Sequence, residues 1–124
     1  MTTAPDVLKA RLMLLQAENP SLEFEDDRME TEYGDRALIR VFDSSGNLIA
    51  LEFIEPEELW QDPDAVEEYI ETALEGIEVT VIVPTEEKAE AEDALGHDAG
   101  GQVRLLGRDE ISSSLRYPSS RAAH

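Results

Sequence analysis

A helix pattern that leads directly into a β-branched run is the feature of this chain that most restricts its fold. In residues 62–76, Asp62 and Pro63 form a helix start, apolar side chains recur at helical spacing, and Gly76 supplies a helix end. The run I-E-V-T-V-I-V-P follows at 77–84 and has the composition of a short buried strand. A helix that delivers the chain to such a strand predicts an α/β crossover.

A hairpin is predicted before this crossover. Residues 37–42 and 48–54 are apolar runs, and the segment D-S-S-G-N between them supplies turn chemistry. Both faces of the second run are mostly apolar, which is typical of a strand that is covered on both sides. Glu52 lies in this run, so we expect its carboxylate near or within a packed layer.

The remaining patterns complete the order of elements. Helices are predicted over 5–18 and 86–95, and strands over 21–25 and 102–106, with a polar connection or an irregular strand ending over 26–35. The order is helix, three strands, helix, strand, helix, strand. We therefore expect an α/β (α+β) fold, with a mixed sheet of about five strands, the hairpin central, and helices on both faces.

The length of 124 residues predicts a single domain with one main core. We assign this domain to residues 1–111. The segment 112–124 is rich in serine and poor in large apolar groups, so we interpret it as a flexible C-terminal tail.

The charge of the chain restricts its partners. Aspartate and glutamate number 29 against 10 lysines and arginines, for a net charge of −19, and no base lies between Val41 and Glu87. Such a field repels a phosphate backbone, so direct binding of nucleic acid is not expected. Two interpretations stay open: a solvated surface suited to a salt-rich cytoplasm, or an acidic face that binds a basic protein or imitates nucleic acid.

Two absences bear on the compartment. The sequence has no cysteine, which excludes disulfides, thiolate metal sites and a cysteine nucleophile. No apolar run approaches the ~20 residues of a membrane span, and the start M-T-T-A-P-D lacks the regions of a signal peptide. We expect a cytoplasmic protein without a membrane partner, and homo-oligomerisation is left open.

The element order, together with V-F-D-S-S-G-N-L-I-A-L-E-F and V-R-L-L-G-R-D-E-I, resembles the restriction-endonuclease-like family of nucleases with a PD-(D/E)xK motif. The resemblance covers roughly residues 5 to 111. It implies an αβββαβ core in which an Asp at the start of the second strand and a Glu-x-Lys in the third hold a divalent metal such as Mg²⁺.

The match to that motif is incomplete. Glu52 fits the Glu, but Ile54 stands where the family has its lysine, and Asp35 and Asp43 are the candidates for the metal-binding Asp. Loss of the lysine removes the charge that would position the attacking hydroxide. The favoured hypothesis is therefore a non-catalytic protein-interaction module with a degenerate nuclease-like core and no cofactor. The alternative is a Mg²⁺-dependent nuclease that uses Glu52 with Asp35 or Asp43.

Two further interpretations concern single residues. As a structural acid, Glu52 would be hydrogen-bonded to a backbone amide or to Arg40, since an unpaired buried charge is costly. Leu59 and Trp60 follow an acidic loop and are candidate partner-binding residues if they are exposed. Alternatively, Trp60 covers one end of the core.

Overall fold

The computed structural model describes residues 3–98 and 103–117. The order of elements and the α+β class that the sequence predicts are both confirmed. In chain order, the longer elements are α1 (Ala4–Glu18), β1 (Glu23–Thr31), β2 (Gly34–Phe42), β3 (Leu48–Ile54), α2 (Pro63–Leu74), β4 (Glu78–Val83), α3 (Lys88–Asp98) and β5 (Val103–Gly107). Short 3₁₀ turns occupy Leu59–Gln61, Thr85–Glu87 and Arg108–Glu110.

The strands form one mixed five-stranded sheet in the order β1-β2-β3-β4-β5. β1, β2 and β3 are joined by tight turns and are antiparallel, whereas β4 and β5 run parallel to β3. Parallel pairing requires a crossover, and α2 and α3 supply the two crossovers. β3 is the middle strand of the sheet, which confirms the central position predicted for the hairpin.

The helix ends follow local sequence signals. At the start of α1 the Thr3 hydroxyl accepts a hydrogen bond from the Asp6 amide, and the Asp6 carboxylate accepts one from the Thr3 amide. Asp62 caps α2 in front of Pro63. After α2 the chain turns at Gly76, whose φ of +84° is readily adopted only by a residue without a side chain.

The sheet separates two buried clusters of apolar side chains. α1 covers one face, where Leu15, Ile39 and Ile54 are completely buried. α2 and α3 cover the other face, where Phe53 and Tyr69 are completely buried. Helices therefore lie on both faces, as predicted, and β3 contributes side chains to both clusters.

Some boundaries differ from those predicted. β1 continues to Thr31, because residues 26–31 pair with β2 as far as the turn at 32–33. Of the two predictions for this stretch, a polar connection or a strand ending, the strand ending therefore holds for residues 26–31. Most of β1 is exposed on both faces, so its acids remain in water. The sequence of 26–31 therefore lacks the alternation of apolar and polar residues that would predict a half-buried strand. The helix predicted over 86–95 begins at Lys88, after a 3₁₀ turn, and extends to Asp98.

The packed chain extends beyond residue 111, where the predicted tail begins. Tyr117 is buried, and Leu115 packs against the α1 side of the core. The Asn19 side chain, at the end of α1, donates to the Leu115 carbonyl at 2.6 Å and accepts from the Tyr117 amide at 2.9 Å. The segment 111–117 therefore lies across the same face of the sheet as α1, and residues 118–124 are outside the described part of the chain.

Candidate functional site

Glu52 lies at the centre of the sheet, on the face that α1 covers. In the register of the strands it pairs with Ile39 on β2 and Thr80 on β4, and Thr80 in turn pairs with Arg104 on β5. Glu52 is completely buried. The predicted position within a packed layer is therefore confirmed, and a charged group at this depth requires a partner.

That partner is Arg11, which projects from α1 and is itself completely buried. Its Nε donates to Glu52 Oε1 and its Nη2 to Glu52 Oε2, each at 2.7 Å. The two parallel hydrogen bonds form the fork geometry in which a guanidinium binds a carboxylate most strongly. Burial by itself would lower the pKa of Arg11, but the hydrogen bonds and the charge of Glu52 more than offset burial and raise it.

The remaining N–H groups of Arg11 hold the segment 111–117. Nη1 donates to the carbonyls of Ile111 and Ser113 at 2.7 and 2.6 Å, and Nη2 donates to that of Ser114 at 3.2 Å. With the two bonds to Glu52, every one of the five N–H donors of the guanidinium has an acceptor. Arg11 therefore connects α1, β3 and the C-terminal segment through one side chain.

Tyr117 completes this arrangement, which we call the Arg11 cluster (Arg11, Glu52 and Tyr117). Its hydroxyl donates a short hydrogen bond to Glu52 Oε2 and lies 3.4 Å from the Thr80 hydroxyl. Burial, followed by the negative charge of Glu52, raises the pKa of Tyr117 above its ordinary value. Tyr117 therefore remains a neutral donor to Glu52 across the physiological pH range.

A backbone amide or Arg40 was predicted as the partner of Glu52, and the prediction of Arg40 is wrong. Arg40 pairs in register with Leu51, the neighbour of Glu52, and successive residues of a strand point to opposite faces. Its guanidinium instead lies 3.6 Å from the Asp27 carboxylate on the surface. Glu52 is a paired, buried acid, as its structural interpretation required, but its cation comes from the helix.

The two aspartates considered as metal ligands do not join Glu52. Asp35 is four positions along β2 from Ile39, the residue opposite Glu52, which corresponds to about 13 Å at ~3.3 Å per residue. Asp43 lies beyond the other end of β2, and its carboxylate accepts from the amides of Ser45 and Asn47, each at 2.9 Å. Asp43 therefore stabilises the hairpin turn, and the sheet holds Asp35 and Asp43 away from Glu52.

The chemistry open to Glu52 is limited by these contacts. Both of its oxygens accept hydrogen bonds from Arg11, and Tyr117 adds a further donor to one of them. A metal ion at Glu52 would have to displace the guanidinium and leave that charge buried. Across residues 3–98 and 103–117, no group of three or more His, Cys, Asp or Glu side chains could hold a metal ion.

A second arrangement of the same kind lies on the opposite face of the sheet. In this Arg36 cluster (Arg36, Glu55 and Tyr69), Arg36 Nε and Nη2 donate to the two Glu55 oxygens at 2.7 Å each, and the Tyr69 hydroxyl donates to Glu55. Arg36 also contacts Glu68 of α2 at 2.7 Å and lies over the Phe53 ring at 4.8 Å. Burial and the charge of Glu55 raise the pKa of Tyr69. One Arg–Glu–Tyr cluster therefore connects a helix to the sheet on each face.

Leu59 and Trp60, the candidate partner-binding residues, are both buried. They belong to the cluster of apolar side chains between the sheet and α2 and α3. Trp60 Nε1 donates to Glu87 Oε1 at 2.7 Å, which satisfies the one polar group of the indole. Neither side chain presents the exposed surface on which the partner-binding interpretation depended, and their placement matches the alternative, in which Trp60 covers one end of the core.

A groove with apolar residues in its lining lies on the outside of α2. One depression of about 540 Å³ lies along Pro63, Val66 and Ile70. A second, of about 390 Å³, lies between α2 and α3 and is lined by Trp60, Val66 and Ala94. Gln61 and Val66 line both depressions, so the two are neighbours, and we call them together the α2 groove.

The sequence interpretation identified Glu52 but missed its partners Arg11 and Tyr117 and the whole of the Arg36 cluster. The signal for Arg11 was present, because it lies at a core position of the α1 stripe, which consists of Ala4, Val7, Leu8, Arg11 and Leu15. An arginine on an apolar helix face indicates a buried acidic partner. No comparable pattern identified Tyr117, because its contact with Glu52 joins residues 65 positions apart.

Comparison with protein families, curated proteins and solved structures finds no match for this chain. In the described part of the chain, none of the helices has the length and apolar character needed to cross a membrane.

Proposed function

We propose that this domain is a non-catalytic protein-interaction module that binds a basic partner protein. The observation that carries the proposal is the state of Glu52, whose two oxygens are both held by Arg11. An acid that orients an attacking water or a metal ion needs a free oxygen at a site that substrate can reach. Glu52 has neither a free oxygen nor exposure to water.

The core of the module is nuclease-like but degenerate in this proposal. The element order is that of the restriction-endonuclease-like pattern, and Glu52 lies on the third strand, as that pattern requires. Ile54 is buried where the motif has lysine, and Arg11 takes the place of a metal ion as the positive charge beside Glu52. On this reading, a position used for metal binding in such nucleases serves to stabilise the fold here.

The surface charge supports a basic protein as partner. With a net charge of −19, the domain attracts cationic surfaces over about a Debye length, ~8 Å at physiological salt, and repels nucleic acid. The absence of cysteine fits a cytoplasmic setting for such a module.

Affinity capture from an extract of the native cells tests the proposal. The domain is immobilised beside polyglutamate of matched charge, and the proteins that only the domain retains at moderate salt are identified. We expect a basic protein that NaCl releases and that polyglutamate does not retain. The proposal would be contradicted if, in repeated experiments, the domain retains only proteins that polyglutamate also retains.

A parallel assay addresses the nuclease alternative. Plasmid DNA is incubated with Mg²⁺ or Mn²⁺ and either the wild-type domain or Glu52→Gln. We expect no cleavage above that of the variant. Cleavage by the wild type that Glu52→Gln abolishes would favour the enzyme.

A further inference from the structure

The outer side of α2 carries an apolar stripe that the domain itself covers only in part. Val66, Ile70 and Leu74 recur at a spacing of four residues, which places them along one side of the helix. Ala65 and Tyr69 of α2 are buried in the core, and Val66 and Ala73 are partly buried and pack against it. Ile70 and Leu74 belong to neither buried cluster, and Leu74 is 69% exposed. The stripe therefore runs from Val66, at the edge of the core, through the half-buried Ile70 to Leu74, which is largely exposed to water.

The charge along the α2 groove has one sign. Glu67 and Glu71 border it on α2, and Glu90 and Asp93 border it on α3. No lysine or arginine is among the described residues that line the groove. An apolar stripe between acids is complementary to a surface whose apolar stripe is bordered by bases.

We propose that the α2 groove is the docking site for a basic amphipathic helix of a partner protein. The inference rests on the proposed function and names the surface and the chemistry of the partner. Apolar side chains of the partner at i, i+4 and i+7 would lie along Val66 and Ile70 in the groove and along Leu74, one helical turn beyond it. Its lysines or arginines would face the acids on either side. Burial of the apolar stripe supplies affinity, and the paired charges fix the orientation.

A second copy of this chain fits the groove less well. In a symmetric pair the same patch meets itself, so Glu67 and Glu71 of one copy would approach the same acids of the other. Like charges in apposition oppose association, and neither copy contributes bases to the contact. The partner is therefore a different, basic chain.

Two synthetic peptides of about 18 residues, the length of roughly five helical turns, provide the probe. One is an amphipathic helix of leucine and lysine, and the other has serine in place of each leucine at unchanged charge. We expect the leucine peptide to bind more tightly and to shift the amide resonances of α2 and α3 in NMR spectra, while those of α1 stay unchanged.

Matched variants locate the contact. Leu74→Ser with Ile70→Ser should weaken binding of the leucine peptide roughly tenfold or more, as expected for loss of central apolar contacts. Met13→Ser is the control, because Met13 on α1 is 66% exposed, close to the exposure of Leu74, and lies on the other side of the sheet. Glu67→Gln with Glu71→Gln should reduce both affinity and its salt dependence more than Glu23→Gln with Glu25→Gln, which removes the same charge from exposed β1.

Four results would overturn the docking site. Equal binding of both peptides would show that charge alone attracts them to the acidic surface. Equal effects of the α2 and control variants would show the same. Dimerisation that Leu74→Ser abolishes would assign the groove to a second copy. If partners captured from extract remain bound to the Ile70→Ser, Leu74→Ser domain at unchanged affinity, the groove inference fails while the proposed function stands; capture of no partner at all refutes the function instead.

Discussion

Arg11 and Glu52, 41 positions apart in the sequence, meet in the interior through two parallel hydrogen bonds of 2.7 Å. The same guanidinium holds the backbone of the segment 111–117 over the sheet. Burying such a pair costs desolvation energy, so the pair adds little net stability. Removing either partner is nevertheless costly, because it leaves the other charge buried and unpaired. Glu52 thereby joins β3 to α1 through Arg11.

Arg11→Met should destabilise the domain by about 3–5 kcal/mol, because it leaves Glu52 buried without a cation and frees three carbonyls of the C-terminal segment. Urea denaturation followed by circular dichroism measures the loss. The double variant Arg11→Met, Glu52→Leu should lose less than the sum of the two single losses, because no charge remains buried. Strictly additive losses would show that the pair is not coupled.

The Arg40–Asp27 pair provides a matched control at the surface. Its atoms are 3.6 Å apart, and the two side chains are 35% and 51% exposed. Exposed pairs contribute little, so Arg40→Ala should change the free energy of unfolding by about 0–1 kcal/mol. A loss as large as that of Arg11→Met would contradict the distinction between the two arginines.

The two buried phenols predict a loss of stability in alkali. The folded state raises the pKa values of Tyr69 and Tyr117 above the unfolded value of 10.0, so above that pH the unfolded chain releases protons that the folded chain retains. The stabilisation is complete below pH 10 and is lost as the pH rises beyond it, by up to ~1.4 kcal/mol per pH unit for each phenol.

Urea denaturation at several pH values between about 9 and 11 measures this slope. Tyr69→Phe with Tyr117→Phe should remove most of it. The comparison separates the phenols from Lys88, whose pKa is also raised, by its hydrogen bond to Glu110. If the free energy of unfolding of the double variant falls with pH as steeply as that of the wild type, groups other than these two phenols cause the loss of stability in alkali.

Trp60 gives a spectroscopic test of the α2 side of the core. It is the only tryptophan of the chain and is 3% exposed, so native emission should be at short wavelength and poorly quenched by acrylamide. Unfolding should shift the emission to longer wavelength. Strong quenching in the native state would instead show that Trp60 is exposed, as its interpretation as a partner-binding residue requires.

Local patterns were sufficient for much of this fold. Asp62-Pro63 and Gly76 mark the ends of the second helix, and the β-branched run after it marks a buried strand. These signals act within a few residues, so they can be read from sequence. The predicted strand 21–25 is shorter than β1, because the acids of β1 lie on an exposed edge of the sheet. A strand that buries neither face needs no regular pattern of apolar residues.

The candidate site was only half accessible from sequence. The apolar residues on both faces of β3 placed Glu52 in a packed layer, but the choice of its partner depended on which helix covers that face. Arg40 is near in sequence and on the wrong face, whereas Arg11 and Tyr117 are distant and correctly placed. Trp60 shows the same limit, since its burial depends on α2 and α3 folding over it.

Added salt should stabilise the domain. With 29 acids against 10 bases, repulsion within the compact state outweighs the surface pairs that salt also weakens. Raising NaCl from about 0.01 to 1 M shortens the Debye length from ~30 to ~3 Å, and the melting temperature should rise. Millimolar Mg²⁺ or Ca²⁺ should add no more than sodium at equal ionic strength. A steep rise with millimolar divalent ion alone would reveal a specific cation site.

Calorimetric titration of Mg²⁺ and Mn²⁺ into the wild-type domain and into Glu52→Gln tests the central claim, that Glu52 is held by Arg11 and is unavailable for catalysis. Circular dichroism first establishes that the variant is folded under the conditions used. We predict the same weak heats from both proteins, since the exposed acids are common to both and the Glu52 oxygens are occupied. Saturable binding to the wild type that is absent from the folded variant would contradict the account.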